Sequence, residues 1–327
     1  MNWTPRDGDA ILTEDGLVFY TMGYAHPEDR VVAYLKYVPS SLKDLFDVPW
    51  LPYTWRLEGV TLVRPAKLYS PKIYRNVLSA LRRISEDYVY YSPCDGKELV
   101  TVPRSKIRRV YVPCEQLRLL LRKESLDRLE EKAVKIIRLL SEKSGVPLGD
   151  FGVHGSISLQ MHGEGSDVDV SVYGSENFRR VKKALLLLAD EGVVQPILAD
   201  RFDELRRNRV LFEGVRVVVN ATRKIEEIRE KYGQYRYRAL RPVEAECTVT
   251  EDWEAVFRPA VYGVECEDER VKQVVSMIGQ FRDVARRGVR VVAKGMLERV
   301  EGEEGGWLRI VVGSGVGEEE YIWPAEG

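Results

Sequence analysis

The chain has 327 residues, which at roughly 100–200 residues per domain predicts two or three domains. Apolar residues make up 44% of the chain and charged residues 31%, a composition that excludes intrinsic disorder and is sufficient for a packed core. No apolar run approaches the ~18 residues of a membrane helix, and the polar start, Met1–Asp9, lacks a signal peptide's apolar core. We therefore expect a soluble, cytoplasmic protein.

The formal net charge of −1 hides an uneven distribution of charge. Residues 242–327 contain ten basic and 18 acidic residues, whereas residues 1–241 contain 40 basic and 33 acidic residues. The basic part is suited to a polyanion, although a neutral surface with uneven patches gives the same numbers. Few amide side chains beside 50 basic and 51 acidic ones are typical of a heat-adapted protein.

The four cysteines form two pairs of similar spacing, Cys94 with Cys114 and Cys247 with Cys266. None belongs to a Cys-x-x-Cys motif, so a four-cysteine zinc site is not expected. A mesophile's cytosol would keep them reduced, whereas in a hyperthermophile each pair is able to form a disulfide. The sequence leaves both states open.

The first 120 residues are predicted to be rich in strands. Residues 9–13 and 17–23 flank an Asp-Gly turn, which is a hairpin signal, and Arg30–Val38 follows as a third strand. Pro71–Ile84 has helical spacing of its apolar residues, with proline at its start. A long amphipathic helix is then predicted from Ser125 to Lys143.

The segment from Phe151 to Gly174 carries the predicted chemistry. Gly155-Ser156 is followed, after ten residues, by Asp167-Val168-Asp169. Because strand side chains alternate, Asp167 and Asp169 project from one face. Adjacent carboxylates repel each other unless a cation lies between them, and Mg²⁺ is the hard, oxygen-seeking candidate. Gly155 permits close approach of a phosphate, which the N–H and hydroxyl of Ser156 are able to hold.

This arrangement resembles the DNA polymerase beta-like nucleotidyltransferase superfamily, whose mark is Gly-Ser or Gly-Gly, a spacer, and Asp-x-Asp on a strand. Ser166–Asp169 followed by Val172-Tyr173-Gly174 resembles its archaeal members in particular, and the full chain resembles a poorly characterised archaeal family. The resemblance implies that a hydroxyl attacks the α-phosphate of an NTP and that pyrophosphate leaves. Asp167 and Asp169 would hold two Mg²⁺ (or Mn²⁺) ions.

The superfamily also uses a third carboxylate from a later strand, and this sequence departs from that pattern. The matching strand, Gly214–Thr222, contains no acid, and the position falls on Val218 or Asn220. An amide is able to ligate a metal, but it neither neutralises charge nor accepts a proton. Candidate substitutes from nearby loops are Asp200, Asp203 and Glu213.

Other side chains near the motif have competing interpretations. His154 and His162 flank the phosphate-binding turn, where hydrogen bonding or packing is favoured over zinc binding because no third ligand has useful spacing. Arg179 and Lys183, on a helix predicted at residues 177–191, are either solvated or reach a triphosphate. The predicted nucleotide-binding set is Gly155, Ser156, Ser166, Arg179, Lys183 and Asn220.

The segment from Arg229 to Arg241 contains five basic residues and three tyrosines but only one acidic residue, Glu230. Basic charge interleaved with aromatic rings is typical of surfaces that bind RNA or DNA. A linker strand with an exposed edge has the same composition. No helix-turn-helix, zinc-finger or RNA-recognition signature accompanies the segment.

These patterns predict a three-part α+β protein. A β-rich domain (residues 1–120) precedes a central nucleotidyltransferase-fold domain with a mixed sheet and helices (121–238), and a small β-barrel-like domain (239–327) follows. The predicted function is Mg²⁺-dependent transfer of a nucleoside monophosphate from an NTP to a hydroxyl acceptor, with RNA or DNA favoured and a protein side chain second. The alternative is a non-catalytic nucleotide- or nucleic-acid-binding protein that lacks the third carboxylate.

Overall fold

The computed structural model describes residues 3–68, 70–303, 305–317 and 319–325. The chain divides into two units, one formed by Met1–Val110 with Arg229–Gly327 and the other by Tyr111–Ile228. The first unit therefore contains both ends of the chain, and the second is a continuous insertion between them.

The N-terminal part of the first unit is an eight-stranded sheet covered by one helix. Its main path runs β4-β5-β3-β2-β1-β8, and β7 joins β3 and β6. The helix α1, Pro71–Ile84, matches the predicted range and buries Ile73 and Leu81 in the same core as Phe19 and Val31. The strands are β1 (Ala10–Thr13), β2 (Val18–Thr21), β3 (Arg30–Pro39), β4 (Trp55–Leu57), β5 (Val60–Val63), β6 (Val89–Ser92), β7 (Lys97–Pro103) and β8 (Ile107–Tyr111).

The second unit contains a five-stranded sheet of order β11-β12-β13-β10-β9, in which β10 and β13 are parallel and the other neighbours are antiparallel. Its strands are β9 (Phe151–His154), β10 (Val168–Tyr173), β11 (Gln195–Pro196), β12 (Arg209–Phe212) and β13 (Val215–Thr222). Its helices are α2 (Pro113–Arg122), α3 (Arg128–Ser144), α4 (Gly155–Ser158), α5 (Ser175–Asp190) and α6 (Arg201–Arg206).

The two faces of this sheet are chemically different. Val168, Val170 and Val172 alternate with polar residues along β10 and are at most 1% exposed. The long helices α3 and α5 pack against each other and contact β10, and α5 also contacts β13. Their buried aliphatic side chains cover the valine face, because apolar faces of helices and strands are stable only when buried together. The opposite face carries Asp169.

Helix α2 contacts β9 and covers one end of the face that carries Asp169. Gly152 of β9 is paired with Ser171 of β10, and a Cβ at Gly152 would lie 2.6 Å from the backbone carbonyl carbon of Pro113. The close approach of α2 therefore requires glycine at this position. Asp167 lies four residues before Ser171, towards the other end of β10.

The C-terminal part of the first unit is a six-stranded half-barrel of order β14-β15-β16-β18-β17-β19, in which β14 also pairs with β17. Arg258 donates from Nε to Asp7 Oδ1 at 2.8 Å, a nearly buried ion pair that joins this part to the N-terminal sheet. The strands are β14 (Arg236–Glu251), β15 (Ala260–Cys266), β16 (Val271–Ser276), β17 (Arg290–Gly302), β18 (Gly305–Val312) and β19 (Tyr321–Pro324).

The predicted fold class, an α+β protein built around a nucleotidyltransferase-fold domain, is wrong. Over the residues that the structure describes, the protein is a β-rich, multi-sheet fold with three sheets, in which 38% of the residues are in strands and 28% are helical. Part of the difference lies in β14, whose 16 residues begin within the basic segment Arg229–Arg241. The arginines of its first half mask the alternation, and hydrogen-bonded pairing with β17 makes this segment a strand.

Candidate functional site

Strand β10 brings the predicted acid pair to one face of the sheet. Asp167 directly precedes the strand and Asp169 is its second residue, so both project away from the valine face. The side chain of Asp167 is 37% exposed, and Asp169 is half-buried. Two carboxylates, both with solvent contact, therefore lie at the same end of the strand.

Asp169 packs directly against the turn that contains Gly155. In the register of β9 and β10, Asp169 is opposite His154, the residue before Gly155. Gly155 has φ +67°, and a Cβ at this position would overlap Asp169 Oδ2 and lie 3.2 Å from Asp169 Cγ. Only glycine fits both the left-handed backbone and the neighbouring carboxylate.

The two predicted serines have different environments. Ser156 is half-buried in the four-residue helix α4, and its carbonyl accepts a hydrogen bond from Met161 N–H at 2.9 Å. Ser166 closes a turn, in which its Oγ accepts from Gly163 N–H and its own N–H donates to the Gly163 carbonyl, each at 3.0 Å. Ser156 thus follows the glycine that contacts Asp169, and Ser166 orders the loop that leads to Asp167.

The strand register decides which residue stands beside Asp169 on β13. Asp169 is paired with Val218, and Asn220 is paired with Ser171 further along the strands. Asn220 Oδ1 accepts a hydrogen bond from Arg206 Nη2 at 3.3 Å. The position beside Asp169 that a third carboxylate would occupy is therefore a valine.

The three acids considered as substitutes have other partners. Asp200 caps α6 by accepting from Asp203 N–H, and Asp203 is 2% exposed and accepts from Arg209 Nη1 at 3.1 Å. Glu213 pairs with Lys135 of α3. Within the part of the chain that the structure describes, no third His, Cys, Asp or Glu forms a close ligand group with Asp167 and Asp169.

An arginine that the sequence did not single out lies beside the acid pair. Arg216 is on β13, one residue before Val217, whose partner on β10 is Val168. Its Nη1 lies 3.4 Å from Asp167 Oδ2, and its side chain is 58% exposed. The sequence signal that could have identified Arg216 is its position two residues before Val218, because residues two apart on a strand project from the same face.

Helix α5 carries the two other predicted phosphate ligands, Arg179 and Lys183. Because α5 covers the valine face, these residues belong to the opposite side of the sheet from Asp169. The structure therefore brings together Asp167, Asp169, Gly155, Ser156 and Arg216, and it does not add Arg179 or Lys183 to them.

A second group of possible metal ligands lies at the start of α3 and consists of Asp127, Glu130 and His162. Asp127 Oδ1 accepts from the N–H groups of Leu129 and Glu130, and Glu130 Oε2 accepts from Asp127 N–H, which completes a capping box. His162 Nε2 and Asp127 Oδ2 are 2.7 Å apart. These contacts explain the group as a helix cap.

Electrostatics at this cap follow from the same contacts. Burial alone would raise the pKa of Asp127, but the hydrogen bonds from Glu130 N–H and His162 outweigh it, so the pKa of this carboxyl is lowered. Lys123 Nζ lies 2.6 Å from Glu130 Oε2. The Asp127 carboxylate is therefore held ionised by protein donors.

The basic and aromatic segment from Arg229 to Arg241 belongs to the first unit, where its tyrosines are engaged in packing. The hydroxyl groups of Tyr232 and Ser92 are 2.7 Å apart, the Tyr235 ring meets the Trp307 ring, and the Arg309 guanidinium lies 3.9 Å from the Tyr237 ring centre. The exposed residues of β14 at this end include Arg236, Arg238 and Arg241. This surface therefore presents positive charge, whereas its three tyrosine rings are engaged in contacts within the protein.

Comparison with curated proteins finds a relative in the archaeon Methanocaldococcus jannaschii, the uncharacterized protein MJ1086. It is 29% identical over 335 aligned residues, which cover 94% of this chain and 95% of the relative. No protein-family model and no solved structure matches the chain. In the ranges that the structure describes, no helix has the length and apolar composition needed to span a membrane.

Proposed function

We propose that the protein transfers a nucleoside monophosphate from an NTP to a hydroxyl acceptor in a reaction that requires Mg²⁺ or Mn²⁺. The observation that supports this most is the placement of Asp167 and Asp169 on one open end of the sheet, with the Asp169 carboxylate against the Gly155 backbone. An acid pair beside a turn that a phosphate can approach supplies both elements of phosphoryl-transfer chemistry.

The donors in this site fit a hard divalent cation. Asp167 and Asp169 provide carboxylate oxygens, the ligands that Mg²⁺ prefers. When bound, the cation would polarise a phosphate oxygen and offset charge on the triphosphate. The Gly155 backbone lies against the Asp169 carboxylate, and the Ser156 N–H and hydroxyl are the next phosphate-binding donors in the sequence. The register of β9 and β10 keeps these groups together.

The missing third carboxylate favours a second candidate function, nucleotide binding without catalysis. Val218 beside Asp169 neither binds a metal nor accepts the proton of an attacking hydroxyl. A site with two carboxylates could retain affinity for a metal–nucleotide complex and lack the base that activates an acceptor. The two candidates therefore differ in turnover rather than in ligand.

We infer that RNA or DNA is the acceptor, with a protein side chain as the second choice. Arg236 and Arg238 are exposed and two residues apart on β14, so they project from the same side of the strand. Regularly spaced arginines suit phosphates along a nucleic acid backbone.

The deciding experiment incubates the full chain with each NTP labelled at the α-phosphate, with Mg²⁺ or Mn²⁺, and with total RNA or no acceptor. We expect label transfer that is lost in Asp167→Asn and in Asp169→Asn. Glu164→Gln, which changes an exposed carboxyl in the neighbouring loop, is the matched control and should retain transfer.

Two other outcomes separate the candidates. NTP binding that depends on Asp167 and Asp169 without label transfer to any acceptor would support the binding protein and reject the enzyme. Absence of both binding and transfer in the wild-type chain would reject both candidates.

A further inference from the structure

Arg216 occupies the third strand of the candidate site. The strands β9, β10 and β13 are neighbours in the sheet, with β10 in the middle. Gly155 directly follows β9, Asp167 and Asp169 lie at the start of β10, and Arg216 lies on β13. An anion placed over the acid pair would therefore have the Gly155 turn on one side and the Arg216 guanidinium on the other.

The ion pair between Arg216 and Asp167 is weak enough for Arg216 to leave Asp167 and bind a phosphate instead. Their side chains are 58% and 37% exposed, and the closest nitrogen–oxygen distance is 3.4 Å. Exposed ion pairs of this kind contribute little to stability, so breaking this one costs little. A guanidinium also has a planar fork of donors that matches the oxygens of a phosphate.

The net charge of the protein groups at the site also favours phosphate binding by Arg216. Compared with a site of three carboxylates, this one has Val218 where an acid would stand and adds the cation Arg216. The protein groups around the acid pair are therefore more positive by two charges. A triphosphate bound there needs less neutralisation by metal ions than in a three-carboxylate site.

We propose that Arg216 takes the place of a second metal ion. In the free protein it pairs with Asp167, and on binding of an NTP with a single divalent cation it transfers to the phosphate oxygens while Asp167 turns to the cation. This inference rests on the proposed nucleotide-binding site and adds to it a stoichiometry and a phosphate-binding residue.

The test is titration of the full chain with Mn²⁺, followed by electron paramagnetic resonance, with and without an NTP analogue that carries a methylene group between the α- and β-phosphates. For the wild-type chain we expect one bound Mn²⁺ in the presence of the analogue. For Arg216→Gln we expect Mn²⁺ alone to bind about threefold to tenfold more tightly, because a competing cation is removed from Asp167. The analogue should bind at least about tenfold more weakly.

Two further variants control this experiment. Arg216→Lys retains the charge without the fork, so its affinity for the analogue should be intermediate. Arg138→Gln removes an exposed arginine from α3, on the valine side of the sheet, and should change neither affinity. A merely structural role of Arg216 would not move the two affinities in opposite directions.

Failure of this inference is distinguishable from failure of the proposed function. Two Mn²⁺ ions per wild-type chain with the analogue would overturn it, as would unchanged affinities, or affinities that both fall, in Arg216→Gln. If the wild-type chain binds neither Mn²⁺ nor the analogue, the proposed function fails and this inference fails with it.

Discussion

Single residues around Asp169 decide what the site is able to do. Its carboxylate lies against Gly155 on one side, and its neighbour on β13 is Val218 on the other. Local alternation in the sequence is enough to place Asp167 and Asp169 on one face. It does not distinguish Val218 from Asn220 as the neighbour of Asp169, because the register of two strands that are distant in sequence depends on the pairing itself.

Gly155→Ala tests the contact at the centre of the site. The new methyl group would overlap Asp169 Oδ2 at a backbone conformation that disfavours side chains. We expect the free energy of unfolding to fall by about 1–3 kcal/mol and the affinity for an NTP analogue to fall at least about tenfold. Urea unfolding and analogue titration measure the two effects.

Gly165→Ala is the matched control for this substitution. Gly165 lies in the loop before Asp167, and a Cβ there would meet nothing within 4 Å. Its stability and its affinity should both stay close to those of the wild-type chain. Equal losses in the two variants would mean that the contact between Gly155 and Asp169 has no special importance.

Two titratable residues in the N-terminal part of the first unit, Asp9 and His26, have opposite effects on the pH dependence of stability. Burial raises the pKa of Asp9 to about 7, although Arg6 and the hydrogen bond from Trp3 Nε1 oppose the shift. Burial and the charge of Arg104 lower the pKa of His26 to about 4, and its Nδ1 accepts from Val32 N–H. The folded protein thus favours a neutral carboxyl and a neutral imidazole.

These shifts predict opposite pH dependences in single variants. Between about pH 4 and pH 6.5, His26 is protonated in the unfolded chain but not in the folded chain, whereas Asp9 is protonated in the folded chain but not in the unfolded chain. The two residues therefore add opposite pH slopes to the free energy of unfolding, and these slopes cancel. In Asp9→Asn the free energy of unfolding should gain a rising slope of about 1.4 kcal/mol per pH unit relative to wild type. In His26→Asn it should gain a falling slope of similar size.

Urea unfolding at several pH values measures both slopes. The raised pKa of Asp9 stabilises the fold at low pH and loses that effect as the pH rises through about 7, whereas the lowered pKa of His26 stabilises it at high pH. Parallel pH profiles in the two variants would contradict the assignment.

At the scale of elements, helices with a continuous amphipathic pattern were predictable. The range of α1 agrees with the prediction, and α3 begins at Arg128 rather than Ser125 because Asp127 caps it. Strand β14 was harder, because its exposed first half lacks apolar alternation. Its partner β17 lies about fifty residues later, a distance over which local patterns carry no pairing information.

Strand pairing decides which of the cysteines form a disulfide. Cys247 and Cys266 are direct neighbours on β14 and β15 and form a disulfide, whereas Cys94 and Cys114 are not disulfide-bonded. The disulfide bridges a sequence separation of 19 residues. The loop that it closes in the unfolded chain predicts a stabilisation of about 3 kcal/mol.

Replacing Cys247 and Cys266 together by Ser should therefore lower the free energy of unfolding by about 3 kcal/mol, and reductant should add no further loss. Replacing Cys94 and Cys114, which are not disulfide-bonded, by Ser is the matched control, and this variant should remain sensitive to reductant. Urea unfolding of the wild-type chain and both double variants, each with and without reductant, makes the comparison. Equal stability of the wild-type chain with and without reductant would argue against a stabilising disulfide.

At the scale of the whole molecule, charge is distributed unevenly along the chain. The first unit contains both the acidic C-terminal sequence and the exposed arginines at the start of β14. If these arginines hold nucleic acid, Arg236→Gln with Arg238→Gln should weaken binding of a fluorescent single-stranded RNA. The slope of log Kd against log salt should become shallower by about 0.7 for each RNA phosphate that the variant no longer neutralises.

Arg56→Gln with Arg75→Gln removes the same charge from exposed positions in the N-terminal part of the first unit and should leave RNA binding unchanged. Fluorescence anisotropy over a range of salt concentrations measures both double variants. Binding that ignores salt, or equal losses in the two double variants, would contradict a role for this end of β14.

The sequence by itself determined the acid pair, the glycine turn before it and the uneven charge, because each is a short-range pattern along one strand, turn or segment. Only the tertiary structure decided that Val218 stands beside Asp169, that Arg216 contacts Asp167 and that one pair of cysteines is joined. It also replaced the predicted α+β fold, built around a nucleotidyltransferase-fold domain, with a β-rich fold that has three sheets in the described part of the chain. Each of these depends on which distant strands pair and in what register, and burial of one sheet face selects that register.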